Sequence, residues 1–185
     1  RFKHFMMDTQ LPLRVEARDD EARLALENEL RAKGLSLVVT PADGDGNTNA
    51  VLEMPSDLAF LEPVTNYLIK RLHIDWSVTA DSSMPVAVAL HEALVNAIKH
   101  GNQNDPTRQV RISADVSNDE AKFIVEDEGE GFDDPPNPLS ADNLYKASGR
   151  GVLLIKSIMD ETHYNTRGNI VTMIKKKSSL DLPVT

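Results

Sequence analysis

The 185 residues carry 41% hydrophobic content, enough to build the core of one domain of ordinary size with an appendage. The charges sum to 20 minus 29, or −9, which argues against nucleic acid as the main partner; the basic run Lys175 to Lys177 is too short to change that and reads as a solvated strand end. There is no cysteine, so disulfide and thiolate chemistry are excluded and a reducing, cytoplasmic setting is expected. No apolar run approaches the ~20 residues of a membrane helix, and no secretory signal is visible. The chain opens on Arg1 rather than methionine, which fits a piece of something longer.

Residues 1–50 contain no recognisable motif and read as an N-terminal extension of unknown role. Leu11 to Ala17 alternates apolar and polar residues, as a strand does. Asp20 to Lys33 predicts an amphipathic helix with Ala22, Leu26 and Leu30 on one side, Arg23, Glu27 and Arg31 paired at helical spacing, and Gly34 as its stop. Leu35 to Thr40 is a second short strand, and Pro41 to Asn49 reads as a flexible link. A strand-helix-strand unit this small cannot bury enough surface alone, so it must pack on something.

The main domain is expected over residues 51–178, with 179–185 as a tail. Val51 to Met54 predicts a strand, and Ser56 or Asp57 caps a helix reaching about Leu72. A second helix is expected to start near Ser83 and Pro85 and to stop at Gly101. Strands follow over Val110 to Val116 and Ala121 to Glu126, then an irregular Pro-rich segment from Phe132 to Ser148. A helix over Gly151 to Asp160 leads to a hairpin in which Thr162 to Thr166 pairs with Asn169 to Lys176. Hairpins and helices segregate. The pattern predicts an α+β, two-layer sandwich: a mixed, mostly antiparallel sheet with about three helices on one face.

Three stretches carry chemistry. In His91 to Gly101 (HEALVNAIKHG), Glu92, Asn96 and His100 stand four residues apart and share one helix face. A carboxylate there can take a proton from a hydroxyl, although a lone helix glutamate is usually just solvated, and His100 fits a packed histidine equally well. The first two letters match the zinc-protease signature HExxH, but Val95 stands where the second histidine belongs, and His91 and His100 lie on opposite sides of a helix. Asp127-Glu128-Gly129-Glu130-Gly131 ends a strand; by itself it could be a surface turn. Gly149-Arg150-Gly151 precedes a helix, whose free N–H groups and dipole suit a phosphate. Neither a P-loop nor a dinucleotide fingerprint is present.

HEALVNAIKHG, DEGEGF and SGRGVLLI in this order resemble the nucleotide site of the GHKL ATPase superfamily, and within it the bacterial anti-sigma-factor serine/threonine kinases, over roughly Val51 to Lys177. The resemblance implies the GHKL (Bergerat) ATP-binding fold, with ATP and Mg²⁺ as cofactors. It makes Glu92 the general base, Asn96 the Mg²⁺ ligand, and Lys99, His100 and Gly101 neighbours of the phosphates. Asp127 would accept a hydrogen bond from the adenine amino group, with Gly129 and Gly131 letting the backbone approach the base. Gly149, Arg150 and Gly151 would face the phosphates, Thr172 would stand near the adenine, and Phe132 to Ser148 would form a lid.

The implied activity is phosphorylation of an antagonist protein on serine, combined with binding of a sigma factor or similar regulator. A homodimer is also implied; nucleic acid and membrane are not expected as direct partners. The sequence departs from some of these kinases at Ala147, where they carry an arginine that reaches the γ-phosphate; Lys146 and Arg150 stand nearby. That departure keeps open a non-catalytic, ATP-gated binding module. The ATPase portion of a larger signalling protein is a further alternative.

Overall fold

Strand β4 (Gln109–Val116) is the middle strand of the sheet, and its alternation turns one face to the core: Val110, Ile112, Ala114 and Val116 are buried while Arg111 and Asp115 are exposed. The computed structural model describes residues 12–17, 21–35, 37–41, 50–131 and 147–180. The expected lid from Phe132, Lys146 included, lies outside the described residues up to residue 146, as do residues 42–49 of the link and 181–185 of the tail.

β4 pairs antiparallel with β3 (Ala50–Pro55) on one side and β5 (Glu120–Asp127) on the other. β1 (Leu13–Ala17) adds antiparallel to β3, and β2 (Leu37–Pro41) adds parallel to β1. On the far side β7 (Ile170–Lys176) pairs with β5, and β6 (Glu161–Tyr164) closes the edge. The result is one seven-stranded sheet in the order β2-β1-β3-β4-β5-β7-β6. Among the described residues only the outer β1–β2 pair is parallel, so the mixed, mostly antiparallel sheet is as the alternation implies.

Helices cover one face of this sheet. Among the described residues they are α1 (Glu21–Ala32), α2 (Leu61–Trp76), α3 (Ala80–Asn96) and α4 (Ala147–Ile158), packed side by side in that order. The fourth helix beyond the expected three is α1 of the N-terminal extension, which lays Ala22, Leu26 and Leu30 into the common core. Each fully buried leucine contributes roughly 1.5–3 kcal/mol, and that burial is what ties an otherwise marginal unit to the sheet edge. The opposite face carries the register Arg14–Glu53–Arg111–Glu126, an alternation of charge across four strands. The exposed Arg111–Glu53 pair at 3.7 Å is of the kind worth about 0–1 kcal/mol.

Several element ends differ from the sequence reading. Asp57 does cap, its carboxylate accepting from the Ala59 N–H at 2.8 Å, but it opens a 3₁₀ turn over Leu58–Phe60 that runs on into α2. α3 starts at Ala80, ahead of Ser83 and Pro85, because Thr79 accepts from the Ser82 N–H and caps it there. Pro85 lies inside the helix as its sixth residue, so α3 forgoes the bond an N–H there would make to the Asp81 carbonyl. The first turn is pinned by buried Ser83, whose hydroxyl lies 2.6 Å from His73 Nε2 on α2.

α4 starts at Ala147, four residues before the expected Gly151, so Gly149 and Gly151 sit within the helix rather than in a loop ahead of it. Glycine weakens a helix by about 1 kcal/mol relative to alanine; close packing against α3 outweighs that here. Lys175 is not a solvated strand end. It is 8% exposed, and its Nζ donates to the Ile158 carbonyl at 2.9 Å, satisfying the last turn of α4.

Candidate functional site

Both ends of the site hang on α3. The helix is α-helical through Asn96 and then widens into a π turn over Ala97–Gly101, where the Asn102 N–H reaches back to the Ala97 carbonyl at 2.8 Å. Glu92 and Asn96 are half-buried on the regular part of the helix. The π turn breaks the period that would have carried the same row on to His100, so His100 does not simply continue it; His100 and Lys99 are exposed.

At the C-terminal end, Gly101 lies directly against the Asp127 carboxylate: a Cβ on Gly101 would overlap it. A Cβ on Gly129 would overlap the Gly101 carbonyl. Gly131 has φ +77° and backs onto the Arg167 carbonyl, so both its conformation and its surroundings require glycine. Arg167, in the turn between β6 and β7, donates to the Gly129 carbonyl at 3.0 Å and to the Glu130 carbonyl at 3.3 Å. The glycine loop is therefore clasped from two sides.

Asp127 is half-buried at the end of β5, and its Oδ1 accepts from the Gly129 N–H at 2.8 Å. Burial pushes its carboxyl above the ordinary carboxylate range; the Gly129 N–H and the Arg167 charge pull the other way without cancelling it. At the N-terminal side of the site, Gly151 of α4 lies against the Glu92 carboxylate, where a Cβ would overlap Oε1. Tyr164 on β6 is close enough to Glu92 to feel its charge; burial first, and that carboxylate second, push the phenol up to about 12. Gly149 is buried and Arg150 exposed.

A family model described as a histidine kinase-like ATPase domain matches residues 54–175, which contain every one of these contacts. The chain belongs to that family. Among similar curated proteins, the Shouchella clausii protein named anti-sigma F factor is 30% identical over 106 residues, 55% of this chain and 73% of that protein. The Staphylococcus aureus (strain JH9) serine-protein kinase RsbW is 30% identical over 107 residues, 52% of this chain and 67% of that protein. The Oceanobacillus iheyensis protein of the same name is 25% identical over 104 residues, 52% of this chain and 66% of that protein. A solved histidine kinase domain from the Erythrobacter litoralis EL346 blue-light activated histidine kinase aligns over 86% of this chain and 73% of that one, with TM-score 0.44 and 18% identity. The resemblance to GHKL anti-sigma kinases thus stands.

Not every expected residue joins the group. Thr172 pairs with Ile124 and His163 in the sheet register, between buried Val171 and Met173, so it points away from the helix layer. The residue on β7's side that does meet Asp127 is Asn169, whose Nδ2 donates to the Asp127 carbonyl at 3.0 Å and whose own carbonyl accepts the Asp127 N–H at 3.0 Å. Asn102 was also missed; it is fully buried and bonds the glycine loop. Among the described residues no group of three His, Asp or Glu side chains is placed to hold a metal, and no helix is long and apolar enough to cross a membrane.

Proposed function

We propose that this chain binds ATP with magnesium and transfers the γ-phosphate to a serine of an antagonist protein while holding a transcription regulator, as an anti-sigma-factor kinase of the partner-switching type. The observation that carries this reading is that α3 presents Glu92 against Gly151 while the π turn continuing it presents, nine residues on, Gly101 against Asp127 and Gly129. Those two contacts stand ~13 Å apart along a helix axis, a span that an extended nucleoside triphosphate can bridge.

The donor set fits such a ligand. Asp127 is a partly desolvated acceptor, suited to the adenine amino group, and the glycines around it let the loop pack closely on Gly101 and Arg167, which holds that carboxylate in place. Asn96 offers the amide oxygen for magnesium, which takes oxygen ligands and completes its shell with water and phosphate. When bound, the ion neutralises phosphate charge. Lys99 and Arg150, both exposed, supply further positive charge, and Gly149 and Gly151 let α4 approach the phosphates closely. Glu92 takes the proton of the attacking serine hydroxyl. Residues 51–178 carry this work, and strands β1 and β2 ahead of them extend the sheet at its edge.

The test is incubation with labelled ATP and candidate antagonist proteins. Phosphoserine on a partner, lost in Glu92→Ala with partner binding retained, supports the kinase. Tight ATP binding with no phosphoserine on any partner would sink it and favour the second reading, an ATP-gated binding module. Ala147, in place of the arginine some of the resembled kinases carry, is the feature that favours that second reading.

A further inference from the structure

Asn102 is 0% exposed, one residue beyond the π turn, and every polar atom of its side chain is engaged. Its Nδ2 donates to Ser56 Oγ at 2.7 Å and to the Gln109 carbonyl at 2.9 Å, and its Oδ1 accepts the Glu128 N–H at 2.8 Å. Ser56, itself 3% exposed, passes the connection on by donating from Oγ to the Arg108 carbonyl at 2.8 Å. One primary amide therefore joins the end of β3, the start of β4 and the loop after Asp127 to the end of α3. Only an amide can do this: two N–H donors and one oxygen acceptor are required at one point, which a carboxylate, a hydroxyl or an alkyl group cannot provide.

We propose that Asn102 is the positioning residue that locks the Asp127–Gly131 loop onto the end of α3, holding the base-reading carboxylate in register with Glu92 and Asn96. The proposal rests on the nucleotide reading above. Asn102 touches no ligand in this role; it acts through the Glu128 amide, the peptide immediately following Asp127. A free loop would let Asp127 drift from Gly101, and the carboxylate would then meet the base only in a fraction of molecules. Affinity falls by that fraction.

The experiment follows amide hydrogen exchange at Glu128 and Gly129 by NMR in the protein without nucleotide, with Phe123 and Val125 of β5 as internal controls, and ATP binding by calorimetry. Asn102→Ala should speed Glu128 exchange about tenfold or more while the β5 controls hold, and weaken ATP about tenfold. Ser56→Ala, which removes one partner but keeps the bond to Glu128, should show the same changes at smaller size and serves if Asn102→Ala does not fold. Unchanged Glu128 exchange, or acceleration shared equally by Phe123 and Val125, would overturn the lock. A wild-type protein that binds no ATP would sink the nucleotide reading instead, and the exchange data alone would then decide for or against the lock.

Discussion

Gly151 of α4 occupies the space immediately beside the Glu92 carboxylate of α3, with no room for a methyl group between them. The obstructing atoms are the far end of a flexible side chain, so Gly151→Ala can be accommodated by moving Glu92 rather than the backbone. Alanine also recovers up to about 1 kcal/mol of helix propensity. The melting temperature should therefore change little, while under the proposed kinase function phosphotransfer falls by about 100-fold, because the carboxylate proposed as proton acceptor is displaced. Measuring both on one preparation separates this outcome from simple unfolding. An unaltered rate would remove Gly151 from the site.

Gly129 presents the opposite case. The atom a Cβ would strike is the backbone carbonyl of Gly101, which cannot swing aside. Overpacking of this kind costs typically 1–3 kcal/mol. Gly129→Ala should lower the melting temperature by several degrees and weaken ATP binding as well, because the strain falls on the loop that holds Asp127. Thermal melts with and without Mg-ATP check it.

Asp127 sets a pH dependence with a definite sign. Its folded value is raised above the ordinary 3.8 by burial, so the folded state favours the protonated carboxyl. That preference is fully available below pH 3.8 and is lost as pH rises through the raised value, so at neutral pH the ionised carboxylate costs stability. Asp127→Asn keeps an acceptor for the Gly129 N–H and removes the charge. The nucleotide-free protein should then melt higher than wild type at pH 7, with the difference vanishing towards pH 4. ATP affinity should drop about tenfold, and wild-type affinity should fall as pH drops through the raised value.

Much of this arrangement can be read from the chain. The strand alternation in Val110–Val116 and Ala121–Glu126 defines both faces of the sheet, and Glu92, Asp127 and Gly151 are recognisable from their motifs. The same period of two, applied to Val171, Thr172 and Met173, already says that Thr172 faces away; its place near the adenine came from resemblance rather than from the strand. Asn102 was not legible, because an asparagine after a glycine reads as an ordinary surface turn until Ser56, 46 positions earlier, is brought beside it. The π turn and the early start of α4 depend on tertiary contacts with β5 and α3, which local propensity does not encode. Lys175 looked solvated for the same reason: its partner, the Ile158 carbonyl, lies on another element.

Lys175 also offers a stability test remote from the chemistry. Its charged hydrogen bond to the Ile158 carbonyl is of a kind worth about 1.5–3 kcal/mol. Lys175→Ala leaves that carbonyl without its partner and should lower the melting temperature by several degrees, with more rapid amide exchange in the last turn of α4. Denaturant midpoints at constant slope would confirm a stability effect.

The central claim is that segments 92–101, 127–131 and 149–151 enclose a single adenine nucleotide. Amide chemical shifts recorded while Mg-ATP is added test it most directly, with Mg-GTP as the comparison. The account predicts saturable changes concentrated in those three segments, weaker or absent with GTP. Changes confined to one of them, or spread over the charged face of Arg14, Glu53 and Arg111, would contradict it.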